Sequence, residues 1–184
     1  MTPLVVAALV AVAVVAVVVL GLRLIWTARR LDAVHTRLDL ARESLRTQLG
    51  ARAAVVVEVS GSGVLDPASA VLLADAGRAS LSELVAGGGV GAAESDLSRL
   101  LREVMDAETV DSLREEVPEL VEQLGTLCAK VELGRRILND QVVRSRDLRD
   151  MAHVRLFRLA GHAPPYATVE LDADPPPALV PHRI

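Results

Sequence analysis

LVVAALVAVAVVAVVVLGL, residues 4–22, contains no charged, amide or hydroxyl side chain. At ~1.5 Å of rise per helical residue it is roughly 28 Å long, close to the thickness of a bilayer's hydrocarbon core. A single segment in that medium has to satisfy its own amides and carbonyls, and a helix does so. Burying so apolar a helix inside protein needs a large partner surface, which the rest of this 184-residue chain hardly offers. The run therefore predicts a transmembrane helix over residues 4–26, preceded by a short extracytoplasmic stretch, 1–3.

A cleaved secretory signal has a basic start, an apolar core of ~7–15 residues and a small-x-small cleavage site. Met1-Thr2-Pro3 has no Lys or Arg, the apolar run is longer, and Gly21-Leu22-Arg23-Leu24 supplies no such site. The segment reads as an uncleaved signal anchor. Trp26, the only Trp, falls at headgroup level, and Arg23, Arg29 and Arg30 complete a membrane-interface set. Basic flanks stay cytoplasmic, so the expected placement is single-pass in the inner (cytoplasmic) membrane, N-terminus outside and body in the cytoplasm. Cys128, the one cysteine, has no intramolecular disulfide partner and suits a reducing compartment. The run contains no Gly-x-x-x-Gly pair to favour tight dimerisation.

Beyond the membrane the apolar period turns helical. Leu31, Val34, Leu38, Ala41, Leu45, Val55 and Val59 keep coiled-coil-like 3,4 spacing, with Gln48 and Arg52 on the same seam. Ser60-Gly61-Ser62-Gly63 ends that helix, and Asp66-Pro67 starts the next, because a carboxylate caps free amides and Pro suits the first turn. The second helix, 67–86, is expected to bury Val71, Leu72, Leu81, Leu84 and Val85 before Gly87-Gly88-Gly89. A third, 93–108, turns Leu97, Leu100, Leu101 and Val104 inward. The last, 112–159, carries Leu120, Leu124, Leu127, Val131, Leu138 and Val142, with Gly134 on its seam; Pro118 either starts it or kinks it. Residues 160–184 are Pro-rich and expected to be extended or partly disordered. The expected fold is all-α: an N-terminal transmembrane helix continuous with an elongated antiparallel three- to four-helix bundle over 27–159, its helices at about 29–60, 67–86, 93–108 and 112–159.

Composition agrees. Aromatic residues make up 2 % of the chain, too few for the core and pocket of a typical α/β enzyme. The net charge is −4 with no basic block beyond the anchor flank, which argues against nucleic acid as a partner. His35, His153, His162 and His182 lack mutual metal-ligand spacing, and Cys128 falls on a core-facing arc as a small buried residue. Glu115, Glu116, Glu119 and Glu122 read as a solvated acidic face.

One stretch carries a catalytic signal. GGVGAAESDLSRLLREVMDAETV, residues 88–110, resembles a Nudix box, in which carboxylates on one helix face hold Mg²⁺ against a diphosphate. Gly88, Glu94, Arg102, Glu103 and Val104 match its spacing, but the acidic pair reads Asp106-Ala107 and the closing Gly is Thr109. On that alternative Glu94, Arg102, Glu103 and Asp106 form a Mg²⁺-dependent diphosphate hydrolase site. The competing reading is a Gly-rich loop before an ordinary amphipathic helix, with no catalytic residues, metal or cofactor. No strand-period segments flank the stretch to build the sheet that a Nudix fold needs.

A second resemblance spans most of the chain. In RLDLARESLRTQLGARAAVV, residues 37–56, Arg37, Leu38, Asp39, Ala41, Leu45, Gln48, Leu49, Arg52, Val55 and Val56 stand in register with the stretch following the anchor in the LemA family of bacterial membrane proteins. In LGRRILNDQVV, residues 133–143, Arg135, Arg136, Asn139 and Val142 match that family's later motif, with Leu138 in place of Tyr. Pro165-Tyr166 resembles its ending loosely, Val57-Glu58 and Cys128 depart from it, and 60–110 matches poorly. The resemblance implies a membrane-anchored antiparallel helical bundle with a cytoplasmic body and brings no catalytic residues. Gln48, Arg52, Arg135 and Asn139 read as polar groups on facing helices that fix register by pairing with one another. The expected function is a non-enzymatic scaffold or interaction module, its partners the lipid bilayer and an unidentified protein or a second copy.

Overall fold

A computed structural model describes residues 3–87, 91–150 and 167–180. Regular structure among them is helical throughout: α1, Pro3–Ser60; α2, Pro67–Val85; α3, Ala92–Val104; α4, Ala107–Glu116; α5, Pro118–Asp150; and a 3₁₀ turn, Pro177–Leu179. Gly88, the 151–159 end expected for the last helix, Pro165-Tyr166, His153, His162 and His182 lie outside the described residues.

α1 is long and apolar enough to cross a membrane, and none of its most apolar window is buried. Val12, Val15, Val17 and Leu22 are all more than half exposed, a far longer apolar surface than water-facing helices carry. Trp26 is 68 % exposed, in line with Arg23, Arg29 and Arg30. The helix continues without a break to Ser60, as the 3,4 spacing predicts.

The chain falls into two compact units. α1 up to Asp39 and α5 from Val142 belong to the first; residues 40–141 and the segment from Ala167 belong to the second. In the second unit one apolar cluster collects Ala53, Val56 and Val59 of α1, Leu73 of α2, Leu97 and Leu101 of α3, Val110 and Leu113 of α4, Val121, Leu124 and Cys128 of α5, and Leu179 of the 3₁₀ turn. Of the seam residues read, Val55 and Val59 of α1, Leu97 and Leu101 of α3, and Leu124 and Leu127 of α5 join this cluster, together with Ala53 and Val56, which the spacing does not mark. Leu38, Leu45, Val131, Leu138 and Val142 are buried outside it.

α2 departs from its expected face. Val71, Leu72 and Val85 are 60, 55 and 88 % exposed, while Leu73, Gly77 and Ser80 are buried. The reason is close approach: a Cβ on Gly77 would lie 2.8 Å from Val57 Cγ2 and 3.1 Å from the Ala53 carbonyl oxygen. At Gly77 α2 sits against α1, and the buried face runs through Leu73, Gly77 and Ser80. Leu81 packs against the core as expected, while Val71, Leu72 and Val85 face outward. Asp66 caps this helix as expected, accepting from the amides of Ala68 and Ser69 at 3.0 and 3.1 Å. Its other end closes at Gly87, whose φ of +72° is left-handed backbone that glycine takes without strain.

The expected 93–108 and 112–159 helices also differ. α3 stops at Val104, and Asp106 caps a separate α4 by accepting from the Thr109 amide at 2.8 Å. Val117 then leaves helical geometry and Pro118 opens α5, so the proline starts the last helix without kinking it. Residues 167–180 are irregular but far from free: Leu171, Ala173 and Leu179 are 6, 1 and 6 % exposed.

Candidate functional site

Two polar arrangements stand out in the second unit, one sealed and one at the surface. The sealed one centres on Arg52, which is 1 % exposed. Its Nη2 donates to Glu94 Oε2 at 2.7 Å and its Nη1 to Ser98 Oγ at 3.0 Å. Ser80 Oγ donates to the other oxygen of Glu94. The cluster thus joins α1, α2 and α3. Burial pushes the neighbouring Cys128 thiol up, against a smaller opposing pull from the Arg52 cation. A buried, hydrogen-bonded ion pair adds little net stability, yet it penalises any packing that separates its partners. Arg52 Nε has no hydrogen-bond partner.

The Nudix-spaced residues are therefore dispersed. Glu94 is 2 % exposed and engaged by Arg52 and Ser80, Asp106 caps α4, Glu103 faces solvent, and Arg102 is drawn to the C-terminal segment. Among the described residues no group of three or more His, Cys, Asp or Glu is placed to hold a metal ion.

The polar residues read on the facing helices are not paired with one another either. Gln48 Nε2 donates to Ser44 at 3.3 Å, and its Oε1 has no partner. Arg52 goes to Glu94; Asn139 turns to the C-terminal segment; Arg135 Nε is unpartnered. What lies across the seam from Gln48 is Gly134, whose added Cβ would come within 3.0 Å of Gln48 Oε1.

The surface arrangement is a groove filled by residues 167–180. Asn139 on α5 holds the Val169 backbone from both sides, Nδ2 donating to its carbonyl at 3.1 Å and Oδ1 accepting its amide at 2.9 Å. Arg42 on α1 donates to the Ala167 carbonyl at 3.2 Å, and Arg114 on α4 to the Ala178 carbonyl at 2.9 Å. On α3, Ser95 Oγ accepts the Asp172 amide at 3.1 Å. Arg102 grips both carboxylate oxygens of Asp172 and donates to the Asp174 carbonyl at 2.9 Å. That fork holds the Asp172 carboxyl below the usual carboxylate range, with Arg135 adding a smaller pull, and raises Arg102 in turn. The Leu179 carbonyl lies over Gly125, where an added Cβ would approach to 3.0 Å. A surface depression of ≈ 680 Å³ bordered by Arg114, Val121, Gly125, Lys130 and Leu133 adjoins Leu179.

Sequence reasoning passes over this groove because its ligand looks like a tail. The available signal is the alternation of Leu171 and Ala173 about Asp172, followed by Pro176 and Leu179, apolar positions spaced for an extended strap. No family model, curated protein or solved structure matches the chain.

Proposed function

We propose that this chain is a membrane-anchored, non-enzymatic helical interaction module of LemA type. On this reading its N-terminus lies outside the cytoplasmic membrane and its body is an antiparallel bundle in the cytoplasm. The observation that carries the reading is the grip on residues 167–180: groups from α1, α3, α4 and α5 aim at main-chain amides and carbonyls of one extended segment. Main-chain capture with a few side-chain pockets is how peptide-recognition surfaces work. The use of Glu94 supports it further. A carboxylate sealed against Arg52 would have to abandon its partner, leaving a buried cation unpaired, before it could bind Mg²⁺.

Full-length protein in detergent, given Mg²⁺ and a panel of nucleoside diphosphate compounds, is the direct test. The expected result is no turnover that Glu103→Gln abolishes; such turnover would replace this reading with the hydrolase. A fluorescent protein fused after Ile184 should fold and emit if the body is cytoplasmic, and a periplasmic phosphatase fused there should be inactive.

A further inference from the structure

The groove that holds residues 167–180 has the properties of an exchangeable peptide site. Its hold combines main-chain hydrogen bonds with one charge fork, whose Arg102 and Asp172 side chains remain 28 and 36 % exposed. The segment is acidic, with Glu170, Asp172 and Asp174, and the side chains that meet it include Arg42, Arg102 and Arg114. Only a few of its side chains are buried, Leu171, Ala173 and Leu179 among them. Residues 151–166 lie between Asp150, the last described residue of α5, and the docked segment; sixteen residues span at most about 55 Å. Every copy of the chain carries the same segment and the same groove, and copies anchored in one membrane meet at raised effective concentration.

We propose that the groove formed by α1, α3, α4 and α5 accepts residues 167–180 of a second copy in place of its own, joining two copies by reciprocal exchange of their C-terminal segments. This rests on the interaction-module reading and names its partner. Asp172 of one copy then lies in the Arg102 fork of the other, and Asn139 holds the incoming backbone. Nothing new has to form, because each contact is one the chain already makes within itself.

Charge reversal separates exchange from docking within one molecule. Full-length Arg102→Asp sets two carboxylates against each other, and full-length Asp172→Arg sets two guanidinium groups against each other. Each variant alone should lose protection of the Val169 and Asp172 amides from hydrogen exchange, by about tenfold or more. Mixed in detergent, the two are complementary in both directions. Differently tagged copies should then co-purify, and amide protection should return. The Arg102→Asp/Asp172→Arg double variant shows what docking within one molecule recovers.

A double variant that regains protection beside a mixture that neither co-purifies nor regains it would overturn the proposal. So would single variants that keep full protection, since the segment would then not be released. If Arg102→Asp loses its helical circular dichroism, Asp172→Arg chain and a labelled peptide of residues 167–180 take over. Binding by that chain supports exchange, and its absence refutes it. Neither outcome touches the Mg²⁺ turnover assay, so failure of exchange and failure of the broader reading are told apart.

Discussion

Arg52 and Glu94 illustrate how a buried pair acts through the alternatives it forbids. Each is desolvated almost completely, so the attraction between them largely offsets the cost of taking two charges out of water. Removing one partner is a different matter. Arg52→Met leaves the Glu94 carboxylate with Ser80 alone, and should cost about 3–5 kcal/mol in denaturant unfolding followed by circular dichroism. Arg52→Met combined with Glu94→Leu should recover most of that loss, since both charges are then gone. A double variant as unstable as the single would mean that the pair contributes net stability beyond its mutual compensation. Asp172 behaves differently because it is partly exposed. Its carboxyl is lowered in the folded chain, so its contribution to docking is fully present above the ordinary value of ~3.9 and is lost as pH falls through the lower folded value. Protection of the Val169 amide should thus be flat from neutral pH to about 4 and fall below it. Added salt should weaken it wherever Asp172 is ionised, because the fork is open to ions. Protection that peaks at acid pH would show that the Arg102 fork does not hold the segment.

Among the helices, agreement between sequence and structure follows from the size of the residues that pack. On α1, α3 and α5 the contacts are made by Leu and Val, whose spacing marks the buried face directly, and Leu97, Leu101, Leu124 and Val131 are all buried as read. On α2 the buried face is Leu73, Gly77 and Ser80, and its two small members carry no apolar signal, so the exposed Val71 and Leu72 misdirect the reading by their hydrophobicity. The break between α3 and α4 escaped for a related reason: Asp106 looks like one more polar helix residue until its carboxylate is seen capping Thr109. Glycine in a helix interior is ordinarily a liability, and Ala would recover up to ~1 kcal/mol. At Gly77 that gain is outweighed. Its added methyl meets stiff, β-branched Val57 at 2.8 Å and a backbone oxygen at 3.1 Å. Gly77→Ala should destabilise by about 1–3 kcal/mol. Gly134→Ala meets only the ends of the Gln48 and Leu45 side chains, at 3.0 and 3.3 Å, and should be neutral to mildly stabilising. Thermal melts of the two variants side by side decide the matter; equal effects would mean that α1 and α2 are not in tight contact at this point.

Across the whole chain, what could be read in advance was the material with a strong local signature: the apolar run, the helical period and the Asp66-Pro67 start. What could not was the partner of each polar group. Arg52 faces Glu94 and Asn139 faces Val169 because of how helices and strap fold back on one another, and spacing along the chain carries no record of that. The same distinction bears on the N-terminal run. None of its most apolar window is buried, and among the described residues the apolar cluster of the second unit draws on Ala51 and later positions, so no described residue of the run belongs to that core. Deleting residues 1–28 should therefore move the protein from the membrane pellet to the soluble fraction while leaving its helical circular dichroism per residue nearly unchanged. The thermal transition should shift by no more than a few degrees, because no core residue is removed. The groove is spared as well, so the Val169 and Asp172 amides should keep their protection. A truncated chain that aggregates, or melts without a cooperative transition, would show that the apolar helix is a packing partner of the body, and the membrane reading would fail with it.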